Sequence, residues 1–320
     1  MKKLRQEFAD TMVEVGLEDD KLIVMVGDIS HGILQKFNQK CPGRYFNVGI
    51  CEPTIIGMAA GMYKSGLIPT VHTIAPFIIE RAYEQIKLDF GYQNYGINLI
   101  SVGSAFDYSQ LGCSHHCYAD ISLMKHFSKA NIFFPASCLE FNVLFKAVYD
   151  NRQINYFRLP EYSHEIELVK EEIKPGKGIK ITDGNDITIL VTGYQLKNAI
   201  KAQEILSMQN IHFDILYYHT IKPFDKELLM NSILKTKRII VIEEISSSDG
   251  LFNYVLNATK ELSDISYAHI AIDDFIHEYG SYDDLCKLLG FTPENIVNNA
   301  LKLINKKNHK ITKKYHGSIV

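Results

Sequence analysis

The chain has 320 residues, with 34 lysines and arginines, 37 acidic residues and a formal net charge of −3. This charge argues against nucleic acid as a main partner, and no apolar run is long enough to span a membrane. The length predicts about two domains. The six cysteines show no disulfide framework, so we expect reduced thiols. Because the sequence shows neither a signal peptide nor a membrane span, we expect a cytoplasmic protein.

The first part of the chain predicts a helix followed by a buried parallel strand. Apolar residues recur at helical spacing over residues 4–15, in a segment unlike a signal peptide. Residues 21–28, KLIVMVGD, form a continuous apolar run of strand length. Because ligands in α/β sheets bind at the carboxyl ends of strands, Ser30 and His31 are candidates for substrate contact. Either residue could equally cap a helix.

Residues 45–61, YFNVGICEPTIIGMAAG, predict a strand, a tight junction and a helix. Pro53 suits the first turn of a helix, where its missing N–H costs nothing. Glu52 stands at the junction between apolar neighbours. A carboxylate at this place is either a buried acid with a special partner or a helix-terminal charge favoured by the helix dipole.

Alternation of strands and helices continues through two parts of the chain. Further strands are predicted at 67–74, 97–103, 130–136 and 155–159, and a helix is predicted at 79–92. A polar stretch with Pro-Gly and Asp-Gly turns precedes new strand–helix pairs from residue 187. We therefore predict two α/β domains, at 1–165 and 186–320, a linker at 166–185, and a solvated basic tail at 302–314.

The loop after residue 103 carries side chains that can bind metals. They are Cys113, His115, His116 and Cys117. Their spacing matches no standard zinc pair, and no second cluster of cysteines and histidines accompanies them. We therefore predict no metal site on these residues.

The segment FNVGICE, followed by a helix of small residues, resembles the pyrimidine-binding domain of transketolases and their thiamine-diphosphate relatives. The similarity continues through GLIPTVHTIAPFIIERAYEQI, LGCSHH and YFRLP. It resumes at DITILVTGYQ and at HTIKPFD and RIIVIEE, which look like the C-terminal domain of the family. The resemblance implies an α/β fold with a pyrimidine-binding parallel-sheet domain of the thiamine-diphosphate fold and a smaller C-terminal α/β transketolase-type domain.

The resemblance also implies roles at a cofactor site. Glu52 would meet N1′ of the aminopyrimidine of thiamine diphosphate and activate the cofactor. Phe77 would pack on the aminopyrimidine ring. The alternative is that Phe77 is an ordinary residue of the hydrophobic core. Ile50 and Ile74 would complete the ring pocket, with Ile74 in place of an aromatic that is usual in relatives.

On the substrate side, the resemblance implies that His115 reaches the oxygens of the reacting sugar. Arg5 and Arg158 would contact a substrate phosphate, whose oxygens suit the guanidinium fork. In relatives, the position of Leu111 is occupied by an acidic residue that binds a hydroxyl group of the donor sugar. We therefore expect a donor that differs from the usual pentose and heptose phosphates.

One half of the cofactor site has no counterpart in the sequence. The family binds Mg²⁺ and the diphosphate through a Gly-Asp-Gly motif, and this sequence contains none. The resemblance therefore implies the C-terminal subunit of a two-subunit transketolase, with Mg²⁺ held by an N-terminal partner subunit in an α2β2 heterotetramer. The complex would transfer a two-carbon ketol unit from a phosphorylated or modified sugar to an aldehyde.

Three alternatives remain open. The β subunit of a 2-oxo acid dehydrogenase has the same layout, but it carries a His-Ser-Gln type segment where this chain has Ser114, His115 and His116. A decarboxylating ligase similar to deoxyxylulose-phosphate synthase shares the segment RAYEQ at 81–85, but that family keeps all its domains in one chain. A non-catalytic regulatory subunit with a vestigial site is the third alternative.

Overall fold

The structure, a computed structural model, describes residues 2–315, and the side chains of residues 2–305. Its helices are α1 (Leu4–Glu18), α2 (His31–Lys40), α3 (Glu52–Lys64), α4 (Tyr83–Gln85), α5 (Asp120–Lys125), α6 (Cys138–Val148), α7 (Gln195–Ser207), α8 (Lys226–Thr236), α9 (Leu251–Thr259), α10 (Tyr282–Leu289) and α11 (Pro293–Tyr315). Its strands are β1 (Leu22–Val26), β2 (Tyr45–Asn47), β3 (Ile68–Ile74), β4 (Ile97–Val102), β5 (Asn131–Phe133), β6 (Ile154–Leu159), β7 (Ile179–Lys180), β8 (Ile187–Val191), β9 (Phe213–Tyr217), β10 (Thr220–Lys222), β11 (Arg238–Ser246) and β12 (Ser266–Ile272).

The first sheet has seven strands in the order β10-β5-β6-β4-β3-β1-β2. Its strands are parallel except β10, which runs antiparallel to β5. Every residue of β1, β4 and β6 is buried, because helices cover both faces of the sheet. The second sheet has five strands in the order β12-β11-β8-β9-β7, parallel except for β7. The predicted α/β fold with parallel sheets is confirmed.

Residues 166–185, which we predicted as a linker, contact both parts of the chain. The short strand β7 lies in this segment and pairs with β9 of the second sheet. Ile173 and Ile179 are buried in the same apolar cluster as Leu4 and Phe8 of α1. The segment is therefore more ordered than a polar linker, while the domain boundaries themselves stay a prediction.

Three elements differ from their predicted extent. The helix predicted at 79–92 is interrupted, since π-helical turns at Pro76–Glu80 and Ile86–Tyr92 flank the short α4. The strand predicted at 130–136 contains only the residues of β5. The backbone of the predicted tail at 302–314 continues helix α11, and its side chains beyond residue 305 lie outside the described part of the structure.

A buried arginine and a buried carboxylate join the two parts of the molecule. Arg158, at the end of β6, donates from Nη2 to the carbonyl of Glu244 in β11 at 3.0 Å. Glu140 of α6 accepts from Tyr217 of β9 at 2.7 Å and from His164 at 3.0 Å. These contacts hold the second sheet against the carboxyl end of the first sheet.

Candidate functional site

Glu52 begins α3 at the sheet edge where the parallel strands β1 and β3 end. Its side chain is 2% exposed, and Oε2 accepts a hydrogen bond from Nη1 of Arg81 at 2.7 Å. Among the described residues, none donates a hydrogen bond to the buried Oε1. A Cβ added to Gly27 would lie 3.4 Å from this oxygen and 3.3 Å from Oγ1 of Thr73, so glycine keeps the space beside it free. A buried acceptor without a donor is costly, so this oxygen is a candidate to accept a hydrogen bond from a bound molecule.

A π-helical turn carries Phe77 and ends at Arg81, the residue that contacts Glu52. The backbone N–H of Arg81 donates to the carbonyl of Pro76 at 3.0 Å, five residues earlier. The guanidinium carbon of Arg81 lies 4.2 Å from the centroid of the Phe77 ring. π-helical turns are found frequently at functional sites. The turn therefore brings an aromatic face and a cation to the same carboxylate.

His115 packs against the ring of Phe77. Its ring centroid lies 5.3 Å from that of Phe77 and 6.2 Å from that of Tyr108, edge to face in both cases. Its Nδ1 is 3.0 Å from Oγ of Ser114. A bridge between Ala105 and Cys117 closes the loop that carries it. The structure thus brings His115, Phe77 and Glu52 into one cluster, linked through the Arg81 side chain.

The two predicted aliphatic residues of the ring pocket lie close to the cluster in the chain. Ile74 is the last residue of β3 and is half-buried. Ile50 precedes α3 and is 67% exposed. Their contact with a ring stays a prediction.

Ser30 and His31 occupy the start of α2, at the same edge of the sheet. Ser30 has the left-handed backbone conformation, with φ of 58°, which is unusual for a residue other than glycine. Its Oγ is 2.9 Å from Nε2 of the buried His72 of β3. His31 is exposed. A serine held in a strained backbone conformation beside a buried histidine indicates a positioned hydroxyl.

Arg5 lies in α1, with 32% of its side chain exposed. Its Nη2 is 3.7 Å from Oε1 of Glu161, which also accepts from the hydroxyl of Tyr108 at 3.2 Å. The adjacent Asp107 was not predicted as a site residue. Burial, with the negative charge of Glu244, raises the pKa of Asp107 to about 8.

Arg158 is wholly buried. Its Nε lies 2.8 Å from Oδ2 of Asp120, and its Nη2 donates to the carbonyl of Cys117 at 2.9 Å. The hydroxyl of Tyr156 donates to the same Oδ2 at 2.6 Å. These partners hold Arg158 between the loop that follows β4 and the second sheet. Its contact with substrate stays a prediction.

The remaining loop residues differ in exposure. Leu111 is 53% exposed, whereas His116 and Cys117 are buried. Burial raises the pKa of the Cys117 thiol well above its usual value, and its Sγ lies 3.5 Å from Oε1 of Glu80. Burial lowers the pKa of His116, and so does the neighbouring His115. Within residues 2–305, no group of three or more acidic, histidine or cysteine side chains is placed to hold a metal ion.

Known families match most of the chain. Residues 1–164 match the family "Transketolase, pyrimidine binding domain", and residues 176–296 match "Transketolase, C-terminal domain". The chain belongs to the transketolase family. The predicted family resemblance is therefore confirmed.

Relatives with separate subunits align along almost the whole chain. The 6-deoxy-6-sulfo-D-fructose transketolase subunit SqwH of Clostridium sp. (strain MSTE9) is 27% identical over 95% of both chains. A solved structure described as a split-gene transketolase in an inactive β4 tetramer has a TM-score of 0.87 and 26% identity, and covers 95% of this chain and 99% of that one. The 1-deoxy-D-xylulose-5-phosphate synthase of Halothermothrix orenii is 29% identical over 94% of this chain, which spans 48% of that protein.

Membership of the transketolase family implies thiamine diphosphate as the cofactor. The residues present fit its aminopyrimidine ring, since the buried Oε1 of Glu52 is available to accept a hydrogen bond and Phe77 offers an aromatic face. Sequence reasoning singled out both residues but missed Arg81 and His72. The signal for Arg81 was its position four residues after Phe77, which places the two on one side of a helical turn. None of the helices in the described part of the chain is long and apolar enough to cross a membrane.

Proposed function

We propose that this chain is the C-terminal subunit of a two-subunit transketolase. The complex transfers a two-carbon ketol unit from a phosphorylated or modified sugar donor to an aldehyde acceptor. The observation that carries the proposal is the buried Oε1 of Glu52, which lacks a donor among the described residues of a chain of this family and whose carboxylate is linked to Phe77 through Arg81. The subunit SqwH, which aligns over 95% of its own length, supports the assignment to a separate subunit.

Several residues of this chain have separate proposed roles at the cofactor. Thiamine diphosphate, when bound, supplies the electron sink for breaking a carbon–carbon bond. Glu52 holds and exchanges a proton at the aminopyrimidine through Oε1, and its burial excludes competing water. Phe77 provides the face on which the ring packs. His115 has its Nδ1 engaged by Ser114, so its Nε2 is the atom that meets the donor oxygens.

The proposed substrate contacts lie around this cluster. Ser30 offers a hydroxyl held in place by His72, and His31 lies beside it at the start of α2. Arg5 is the better placed cation for a substrate phosphate, because it is partly exposed and its 3.7 Å pair with Glu161 is loose. A phosphate contact from Arg158 would require its buried pair with Asp120 to open.

The other half of the site belongs to the proposed N-terminal partner subunit. That subunit would hold the diphosphate and Mg²⁺, since this sequence contains no Gly-Asp-Gly segment. We propose an α2β2 heterotetramer in which this chain dimerises. The similar split-gene transketolase, which forms an inactive β4 tetramer, supports self-association of this chain and a need for a second subunit.

Calorimetry tests the half-site arrangement. Thiamine diphosphate and Mg²⁺ are titrated into this chain alone and into its complex with the partner subunit. We expect tight, Mg²⁺-dependent binding to the complex and little heat with the isolated chain. Micromolar or tighter binding to this chain alone would refute the divided site.

A panel of donors tests the reaction itself. Xylulose 5-phosphate, fructose 6-phosphate and 6-deoxy-6-sulfofructose are offered to the complex with an aldehyde acceptor, and transfer of the ketol unit supports the proposal. The resemblance to 1-deoxy-D-xylulose-5-phosphate synthases defines the second candidate. Release of CO₂ from pyruvate with glyceraldehyde 3-phosphate, without ketol transfer from any sugar, would favour that candidate.

A further inference from the structure

The side chain of Arg81 contacts two proposed cofactor residues at once. Its Nη1 donates to Oε2 of Glu52 at 2.7 Å, while its guanidinium carbon lies 4.2 Å from the centroid of the Phe77 ring. Glu52 is buried, but the Arg81 side chain is 43% exposed. The guanidinium is therefore held by these two contacts at a site that remains open to solvent on one side.

The two contacts involve the same carboxylate and the same aromatic face that an aminopyrimidine ring would use. Both a guanidinium and an aminopyrimidine contain a planar, delocalised N–C–N group with N–H donors along its edge. The edge of such a group donates to a carboxylate, and its face packs on an aromatic ring. Arg81 presents its edge to Glu52 and its centre to Phe77 in this manner.

We propose that Arg81 is a further residue of the cofactor site, and that its guanidinium occupies the place of the aminopyrimidine ring. Oε1 of Glu52 already lacks a donor, but the guanidinium has to leave the face of Phe77 before the aminopyrimidine ring can pack there. In the meantime it partners a buried carboxylate that pairs with no other cation within residues 2–305. This inference rests on the proposed function, because it requires Glu52 and Phe77 to receive the cofactor.

The local backbone suits a side chain that changes position. The π-helical turn ends at Arg81, and residues 81–82 form a turn before α4 begins. The Arg81 N–H donates five residues back, to Pro76, so it does not belong to a regular α-helical ladder. A partly exposed ion pair and a cation–π contact are each weak. The need to break them should weaken cofactor binding by about 3- to 10-fold relative to a site free of this competitor.

The test measures binding of thiamine diphosphate to the complex with the partner subunit, in the presence of Mg²⁺. Arg81→Gln should lower the dissociation constant by about 3- to 10-fold and speed association, since the flat cation is gone. Arg81→Lys should fall between this variant and the wild type, because an ammonium keeps the charge but not the flat face. Lys87→Gln, an exposed change on the following turn, is the matched control and should leave binding unchanged.

A second measurement separates occupation of the site from a general loss of charge. In Arg81→Ala, millimolar guanidinium chloride should compete with thiamine diphosphate and raise its dissociation constant, whereas the wild-type complex should not respond. Equal or weaker cofactor binding by Arg81→Gln, or no competition by guanidinium, would overturn the role of Arg81. If the wild-type complex binds no thiamine diphosphate, the proposed function itself is wrong.

Discussion

Ser30 and His72 share a hydrogen bond whose direction is fixed by a third group. Nδ1 of His72 lies 3.0 Å from the carbonyl of Ile100, which can only accept, so Nδ1 carries the proton. Nε2 is then the acceptor, and the hydroxyl of Ser30 donates to it at 2.9 Å. The lone pairs of that hydroxyl remain available to a donor group on a substrate.

His72 should make the stability of the protein depend on pH. Burial, assisted by the positive charge of Arg5, lowers the pKa of His72 from 6.5 to about 3. Between these values the unfolded chain binds a proton that the folded chain does not, so stability rises with pH and is lost on acidification. From pH 7.5 to pH 5.0 we expect this residue to account for a loss of about 1–2 kcal/mol.

Urea unfolding of the wild type and of His72→Gln at both pH values measures the effect. Other buried histidines contribute to the wild-type slope, so the difference between the two proteins is the informative quantity. We expect His72→Gln to be less stable at pH 7.5 but to lose less on acidification. An equal loss in both proteins would show that His72 is protonated or accessible in the folded state.

Glu52→Gln should abolish most turnover while leaving the fold and assembly intact. An amide fits the same space but cannot exchange a proton, and such groups contribute about 10²–10⁴-fold to rate. Steady-state ketol transfer by the assembled complex measures the loss. Glu80→Gln, at a carboxylate on the π-helical turn that carries Phe77, serves as the matched control. Retention of most activity by a correctly assembled Glu52→Gln complex would remove Glu52 from its proposed role.

Leu111→Asp should improve the use of xylulose 5-phosphate relative to other donors. The leucine cannot accept a hydrogen bond from a donor hydroxyl, and an unpaired hydroxyl disfavours binding by about 10–100-fold. Because Leu111 is 53% exposed, the carboxylate is tolerated in the fold. The ratio of kcat/KM between donors is the measurement. The prediction is wrong if xylulose 5-phosphate is already the best donor and the variant gains nothing with it.

Glu140→Gln should destabilise the chain far more than the same change at Glu14. The buried Glu140 accepts from His164, Tyr217 and the N–H of Ala136, and a disturbed buried group costs about 1–3 kcal/mol. Glu14 pairs with Lys146 at the surface, where such pairs contribute about 0–1 kcal/mol. Urea unfolding of both variants provides the comparison, and equal losses would contradict a structural role for the buried carboxylate.

The pKa of Glu140 gives this prediction a pH dependence. Burial alone would raise that pKa, but the hydrogen bond and charge of His164 outweigh it and hold the pKa below its usual value. The carboxylate therefore stabilises the fold above the unfolded pKa and loses this contribution as pH falls through the folded one. The difference between wild type and Glu140→Gln should shrink in acid.

The parts of the site that lie close together in the chain could be predicted from sequence. Glu52 stands in a recognisable strand–helix junction, and Phe77 follows a strand that ends at the same edge. The ion pair between Glu52 and Arg81 could not be predicted, because it joins residues 29 positions apart through a π-helical turn. One extra residue in a helical turn barely changes the apolar pattern that predicts a helix. The role of His72 could not be predicted for a similar reason, since its hydrogen-bond partners Ser30 and Ile100 are distant in the sequence.

Strand β10 covers the β5 edge of the first sheet, which would otherwise be prone to aggregation. It comes from the C-terminal part of the chain, yet it pairs with β5 of the first sheet through Thr220 and Lys222. An uncovered edge strand presents free N–H and C=O groups to other chains. A fragment comprising residues 1–165 would lack β10 and leave Asn131–Phe133 as a bare edge, so we expect it to self-associate through that strand. We therefore expect the two sheets to fold and unfold as one unit.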